Sequence, residues 1–169
     1  MARYLIPSGP MQTTSSFATL ATGTSIITLL QFKPSATIGA KIVEWGISFD
    51  GSAAATPIKV ELIETDVAAT VTASVANDLT KLDADALMGG DPTTNLIQVG
   101  TSATGYNASA EGTITVVRNL DLQLIAPTNQ YVKQFPLGER PFIQTAKFAR
   151  IRVKAGAGVN AYAYMIIEI

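Results

Sequence analysis

The residue groupings in this chain that could do chemistry are few, and each has a plainer reading beside it. Gly156-Ala157-Gly158-Val159-Asn160-Ala161 fits the Gly-x-Gly-x-x-Ala form of a dinucleotide-binding turn. Such a turn needs a helix behind it, because the helix N-terminus holds the pyrophosphate. Tyr162 to Ile169 reads as a strand instead, so the glycines are expected to form a hairpin loop between two antiparallel strands. Asp83, Asp85 and Asp91 could offer carboxylate oxygens to calcium. No Asp-x-Asp-x-Asp-Gly loop and no following Glu accompany them, and they read as solvated loop acids. Glu61 and Glu64 would serve as an acid–base pair only on one face, and three apart on a strand they point to opposite sides.

With 0 His and 0 Cys, zinc sites built on those ligands and thiol nucleophiles are excluded. A serine nucleophile would need a lysine base, and no Ser-x-x-Lys is present. Asn107-Ala108-Ser109 has the form of a glycosylation sequon, but no secretion signal supports its use. The expectation is a protein that is not an enzyme, with no catalytic residues, no metal and no cofactor.

Binding is the remaining kind of chemistry. Arg150, Arg152 and Lys154 alternate along Phe148 to Lys154, so they share one face of a strand. Two readings stand: a solvated face balanced by acids across the sheet, or a charged contact to a partner subunit. The following strand, with Tyr162 and Tyr164, carries hardly a charge on either face. A lone subunit would struggle to cover both faces, which points to a subunit contact there. Met1 to Gln12 is the third candidate. Pro7, Gly9 and Pro10 forbid a helix, so the segment reads as an extended arm. Tyr4, Leu5 and Ile6 would anchor it on a neighbouring subunit or a larger lattice.

The elements that must position these residues are strands. Ile26 to Phe32 is apolar on both faces. Lys41 to Phe49 alternates, with Val43, Trp45, Ile47 and Phe49 on one side, and Asp50-Gly51 ends it as a turn. Ile58 to Thr65 alternates too, with Ile58, Val60 and Leu62 inward. Thr113 to Val117, Asp121 to Ile125 and Tyr131 to Phe135 follow as short strands. Ser15 to Leu20 and Val67 to Val75 are weaker ones. Leu79, Leu82 and Ala86 keep helical spacing before Gly89-Gly90, and Asp91 to Ser109 reads as a turn-rich surface excursion. The predicted core includes Trp45, Ile47, Phe49, Val60, Leu62, Ile151 and Val153. Short strands between Gly and Pro loops give an all-β fold: a two-sheet antiparallel, jelly-roll-like β-sandwich over residues 13–169, with residues 1–12 as the arm.

Composition agrees. The chain has 169 residues, enough for one domain with a sizeable core. Charged residues make up 15%, against about 25% in typical domains, so much of the surface is not meant to face water alone. A net charge of −1 argues against a nucleic-acid partner. No apolar run reaches the roughly 18 residues of a membrane helix, and Pro7 cuts short any signal-like start. The expectation is a chain with no membrane partner, made in the cytoplasm.

Several segments together resemble a family of tailed-bacteriophage structural proteins with a jelly-roll fold. They are Lys41 to Gly51, Pro57 to Leu62, Glu111-Gly112-Thr113, Phe135 to Gly138, Phe148 to Lys154 and Tyr162 to Glu168. The resemblance implies a decoration or cement protein on the outer surface of the virion head, bound to the major capsid protein, usually as a homotrimer. It brings no catalytic residues to carry over. A carbohydrate- or receptor-binding module of a virion fibre or head is the alternative, and it would need exposed aromatics such as Tyr106 and Tyr131. A cupin-like enzyme ranks last, because that class binds its metal with His.

Overall fold

The computed structural model describes residues 2–51, 56–83 and 96–169. The strands in chain order are β1 (Arg3–Pro7), β2 (Leu20–Ala21), β3 (Ile27–Phe32), β4 (Ala40–Phe49), β5 (Ile58–Thr65), β6 (Thr70–Ala73) and β7 (Thr80–Lys81). They continue with β8 (Gly105–Ala110), β9 (Val117–Ile125), β10 (Gln130–Gln134), β11 (Phe142–Ile143), β12 (Phe148–Lys154) and β13 (Asn160–Glu168). One 3-10 turn, Ala76–Asp78, is the helical element among the described residues.

Two antiparallel sheets pack as a sandwich. One has seven strands, in the order β10-β4-β13-β1-β7, with β11 on β4 and β2 on β13. The other has six, in the order β6-β8-β3-β12-β5-β9. Neighbours in space are seldom neighbours in sequence: β13 lies between β1 and β4, and β12 between β3 and β5. The chain crosses between sheets at β2–β3, β3–β4, β4–β5, β6–β7, β7–β8, β9–β10, β11–β12 and β12–β13.

The core lies between the sheets and follows from period-two patterning. Trp45, Ile47 and Phe49 of β4, with Ala161, Ala163, Met165 and Ile167 of β13, face Val60 and Leu62 of β5 and Ile151 and Val153 of β12. All seven predicted core residues are buried there. Val43 departs from its expected place. A register shift between Ile166 and Ile167 leaves Val43 without a partner on β13 and brings Ile42 onto the core face. Leu29 is the corresponding extra residue on β3, where Ile151 pairs Leu30 and Arg152 pairs Thr28.

Several local expectations are corrected. Arg3–Pro7 is not an arm but a central strand, paired to β13 on one side and to β7 on the other. Tyr4 and Ile6 lie in the sandwich core, so they cannot anchor a neighbour. Pro7 is tolerated because it ends the strand; Ser8 resumes the pairing by donating its N–H to Ala163 O at 2.8 Å. The Gly156–Ala161 segment is not a hairpin loop, since β12 and β13 belong to different sheets. Asn160–Glu168 is a strand, not the helix a dinucleotide turn requires. The helical spacing after Leu79 gives β7 instead, because the Asp78 carboxylate accepts the Val75 N–H and tightens the turn while Leu79 enters the core. The rest of that stretch, with Ala86, Gly89 and Gly90, lies outside the described residues. Thr113–Val116 is not a strand, and Gly105–Ala110, read as loop, is β8. Of Ser15–Leu20 only Leu20 pairs, in β2.

Because β1 fills the gap beside β13, removing residues 1–12 should abolish cooperative folding. In the full chain Ile6→Ala should cost roughly 2–5 kcal/mol, the range for deleting a buried aliphatic side chain. Urea unfolding followed by circular dichroism measures both, and a truncated chain that unfolds with the native midpoint would contradict this placement.

Candidate interaction surfaces

The three cations of β12 share the outer face of the six-stranded sheet but meet three different fates. Arg150 is fully buried. Its guanidinium donates to Glu111 O at 3.0 Å, to Glu111 Oε2 at 3.2 Å and to Val67 O. Glu111 in turn accepts the Thr28 N–H at 2.5 Å and the Thr28 hydroxyl at 2.7 Å. The segments around Val67 and Glu111 close over the sheet here, and Gly112 makes that approach possible. Its φ is +69°, and a Cβ would sit 2.8 Å from Val67 Cγ1. Burial pulls the Arg150 pKa down to about 10, against the pull of Glu111. Arg150 is therefore a structural cation, not a contact to a partner. Arg152 pairs with Glu61 across β5 at 2.5 Å, which is the balanced strand-face reading.

Lys154 alone of the three remains open. It lies directly opposite Lys59 on β5, and Lys59 lies opposite Leu124 on β9. The next row is Arg152, Glu61 and Leu122. Two like charges in register are unfavourable, and among the described residues neither lysine has an ion-pair partner. Leu122 and Leu124 are 53% and 68% exposed. On the edge strand β9, Leu122 and Leu124 face water while Asp121 and Ile125 turn inward and Leu120 packs against the core. There Tyr131 donates its hydroxyl to Asp121 Oδ2 at 2.9 Å, and Gln123 Nε2 donates to Asp121 Oδ1 at 2.7 Å. Alternation alone would have put the leucines inside, so Lys59, Leu122 and Leu124 had no signal in the sequence as site residues.

Tyr162 and Tyr164 lie on the opposite surface, the outer face of the seven-stranded sheet. The cross-strand row Val132, Gly46, Tyr164, Pro7 is flanked by the row Gln130, Ser48, Tyr162 and by the pair Leu5–Ile166. The Tyr164 ring lies over Gly46, where a Cβ would come within 2.5 Å of it, and its hydroxyl donates to Glu44 Oε1 at 2.7 Å. A depression of about 220 Å³ opens between Tyr162, Tyr164, Gln130 and Val132. Phe17 packs on Tyr162, with ring centroids 4.8 Å apart and tilted by 58°. Of the expected anchors, then, Leu5, Tyr162 and Tyr164 share one face, Tyr4 and Ile6 are internal, and the β12 cations are on the far side.

The remaining groupings do not assemble. Asp83 accepts the Arg3 N–H at 2.9 Å, while Asp85 and Asp91 lie outside the described residues. No cluster of three metal-binding side chains occurs among the described residues. Glu61 and Glu64 stand on opposite faces, paired with Arg152 and Arg118. Tyr131 is committed to Trp45, with ring centroids 5.3 Å apart, and to Asp121. Tyr106 is half-buried between β3 and β6. Comparison with protein-family models, curated proteins and solved structures finds no match to this chain.

Two measurements check these environments. Burial and the Asp121 bond push the Tyr131 pKa up to about 12; burial and the Glu44 bond push that of Tyr164 up as well. A raised folded pKa supplies stability below the ordinary tyrosine value near 10 and loses it as pH rises through the folded value. Phenolate absorbance should therefore show these two tyrosines titrating late, with stability falling between about pH 10 and pH 12. Glu111→Ala, which strands the buried Arg150 charge, should cost roughly 3–5 kcal/mol in denaturant unfolding.

Proposed function

We propose that this chain is a structural virion protein, a decoration or cement subunit that binds the outer surface of a tailed-phage head through the major capsid protein and acts as a homo-oligomer. The observation that carries this reading is that both outer faces of the sandwich carry exposed large apolar side chains. An antiparallel sheet with water on its outer side normally alternates apolar-in and polar-out. Here Leu122 and Leu124 stand exposed on one outer face, and Val132, with the half-buried Tyr164, Leu5 and Ile166, stands on the other. A subunit held between neighbours has use for both. The strand order supports the same reading: the sets β1-β13-β4-β10 and β3-β12-β5-β9 suit the jelly roll that the sequence resemblance implies. Such a protein works by repeating modest contacts over a symmetric shell, where multivalency raises avidity.

A second reading is favoured by the tyrosine depression. A half-exposed tyrosine pair lining a depression, with Gln130 and Ser48 beside it, suits contact with a sugar ring, as in a glycan- or receptor-binding virion module.

The test is co-sedimentation with expanded heads of the encoding phage that lack this chain. The wild-type protein should pellet with heads and appear on their outer surface by cryo-electron microscopy. Val132→Glu should weaken binding by at least about tenfold, because a valine buried on contact contributes roughly 1.5–3 kcal/mol. Failure of the wild-type protein to bind heads, together with saturable glycan binding lost in Tyr162→Ala, would replace the first reading with the second.

A further inference from the structure

We infer that copies of this chain dock head to tail, with the turn Pro136–Glu139 of one copy seated on the Leu122, Leu124, Lys59 and Lys154 rows of the next. This rests on the reading of the chain as a self-assembling coat component and names the contact that assembles it. Leu137, at the tip of the turn, is 81% exposed, the most exposed of the large apolar side chains among the described residues. Glu139 is exposed two residues further on and has no ion-pair partner among them.

The turn is held rigidly. Glu139 N–H donates to Pro136 O at 2.9 Å. Phe135 on one side is buried in the core, and Arg140 on the other is bound to Glu168 at 2.7 Å. A knob fixed on both sides loses little entropy when it docks.

The two surfaces complement each other in shape class and charge. The knob offers one apolar tip and one carboxylate. The receiving rows offer two exposed leucines beside two ammonium groups in register. A carboxylate placed between Lys59 and Lys154 relieves the repulsion that the isolated subunit carries. One copy cannot close this contact on itself. The turn after β9 returns the chain along β10, away from Leu124, and the five residues of β10 alone span about 17 Å. Knob and receiver therefore sit toward opposite ends of the sandwich. The contact is heterologous, and it generates a ring when the rotation closes.

Sedimentation velocity at micromolar concentration tests this. Wild type should form a discrete oligomer, whereas Leu137→Asp and Leu124→Asp should each be monomeric with unchanged circular dichroism. Mixing the two variants should give a one-to-one dimer and nothing larger, since only one intact knob and one intact receiver meet. Glu139→Lys should weaken assembly by roughly tenfold, and Lys59→Glu with Lys154→Glu should restore it. A monomeric wild type overturns the inference and the self-assembly it rests on. A wild-type oligomer that survives both aspartate substitutions overturns this contact alone, and head binding by the same variants then shows whether the coat reading stands.

Discussion

The charge buried at Arg150 governs how the outer side of the six-stranded sheet is built. A guanidinium out of water needs partners on every side, because an uncompensated buried charge is far costlier than a lost surface contact. Here the guanidinium's partners come from separate parts of the chain, Val67 after β5 and Glu111 after β8; Glu111 in turn grips Thr28 of β3, while Arg150 Nε is left without a hydrogen-bond partner among the described residues. These segments are locked over the sheet at its Arg150 end. They also enclose Ala69, Val71 and Ala108 in a small second cluster outside the main core. Toward Lys154 the same face is left open.

That asymmetry divides this face of the sandwich into a covered region and an open region. The covered region carries the buried pair Arg150 with Glu111, and the pair Arg152 with Glu61, in the row of Leu122, lies at its border. The open region carries the unpaired lysines and the outward leucines. Asp121 explains the leucines. It is nearly buried at the seam between β9 and β10, where Tyr131, Gln123 and Lys133 satisfy it. With an acid turned inward, alternation turns Leu122 and Leu124 outward, while a register shift at Leu120 lets that leucine pack against the core. The exposed pair Leu122 and Leu124 thus follows from a polar requirement of the interior.

The opposite sheet is organised around β13. It is flanked by β1 and β4, and Ala2 and Ile169 exchange backbone hydrogen bonds of 2.9 Å in both directions. Its inward residues are apolar; its outward ones are Tyr162, Tyr164 and Ile166 between Asn160 and the ion-paired Glu168. The sandwich covers the inward face, and on the outward face the Tyr164 ring packs on Gly46.

Period two was enough to read the all-β class, the long strands β3, β4, β5, β12 and β13, and the core residues from Trp45 to Val153, because alternation is a property of each segment alone. The pairing of segments is not. β1 looked like an arm since Pro7 and Gly9 break any regular pattern after it, and only the gap beside β13 makes it a strand. Arg150 and Lys154 are equivalent in the sequence, both outward on one strand; the loops that bury one and spare the other come from about forty and eighty residues away. Leu122 and Leu124 carried the pattern of a core strand, and the direction of that pattern was set by Asp121 meeting Tyr131 across two sheets. Composition and alternation determine which residues can share a face. Only the tertiary structure decides which face meets the interior, because that depends on which distant group needs burying against it.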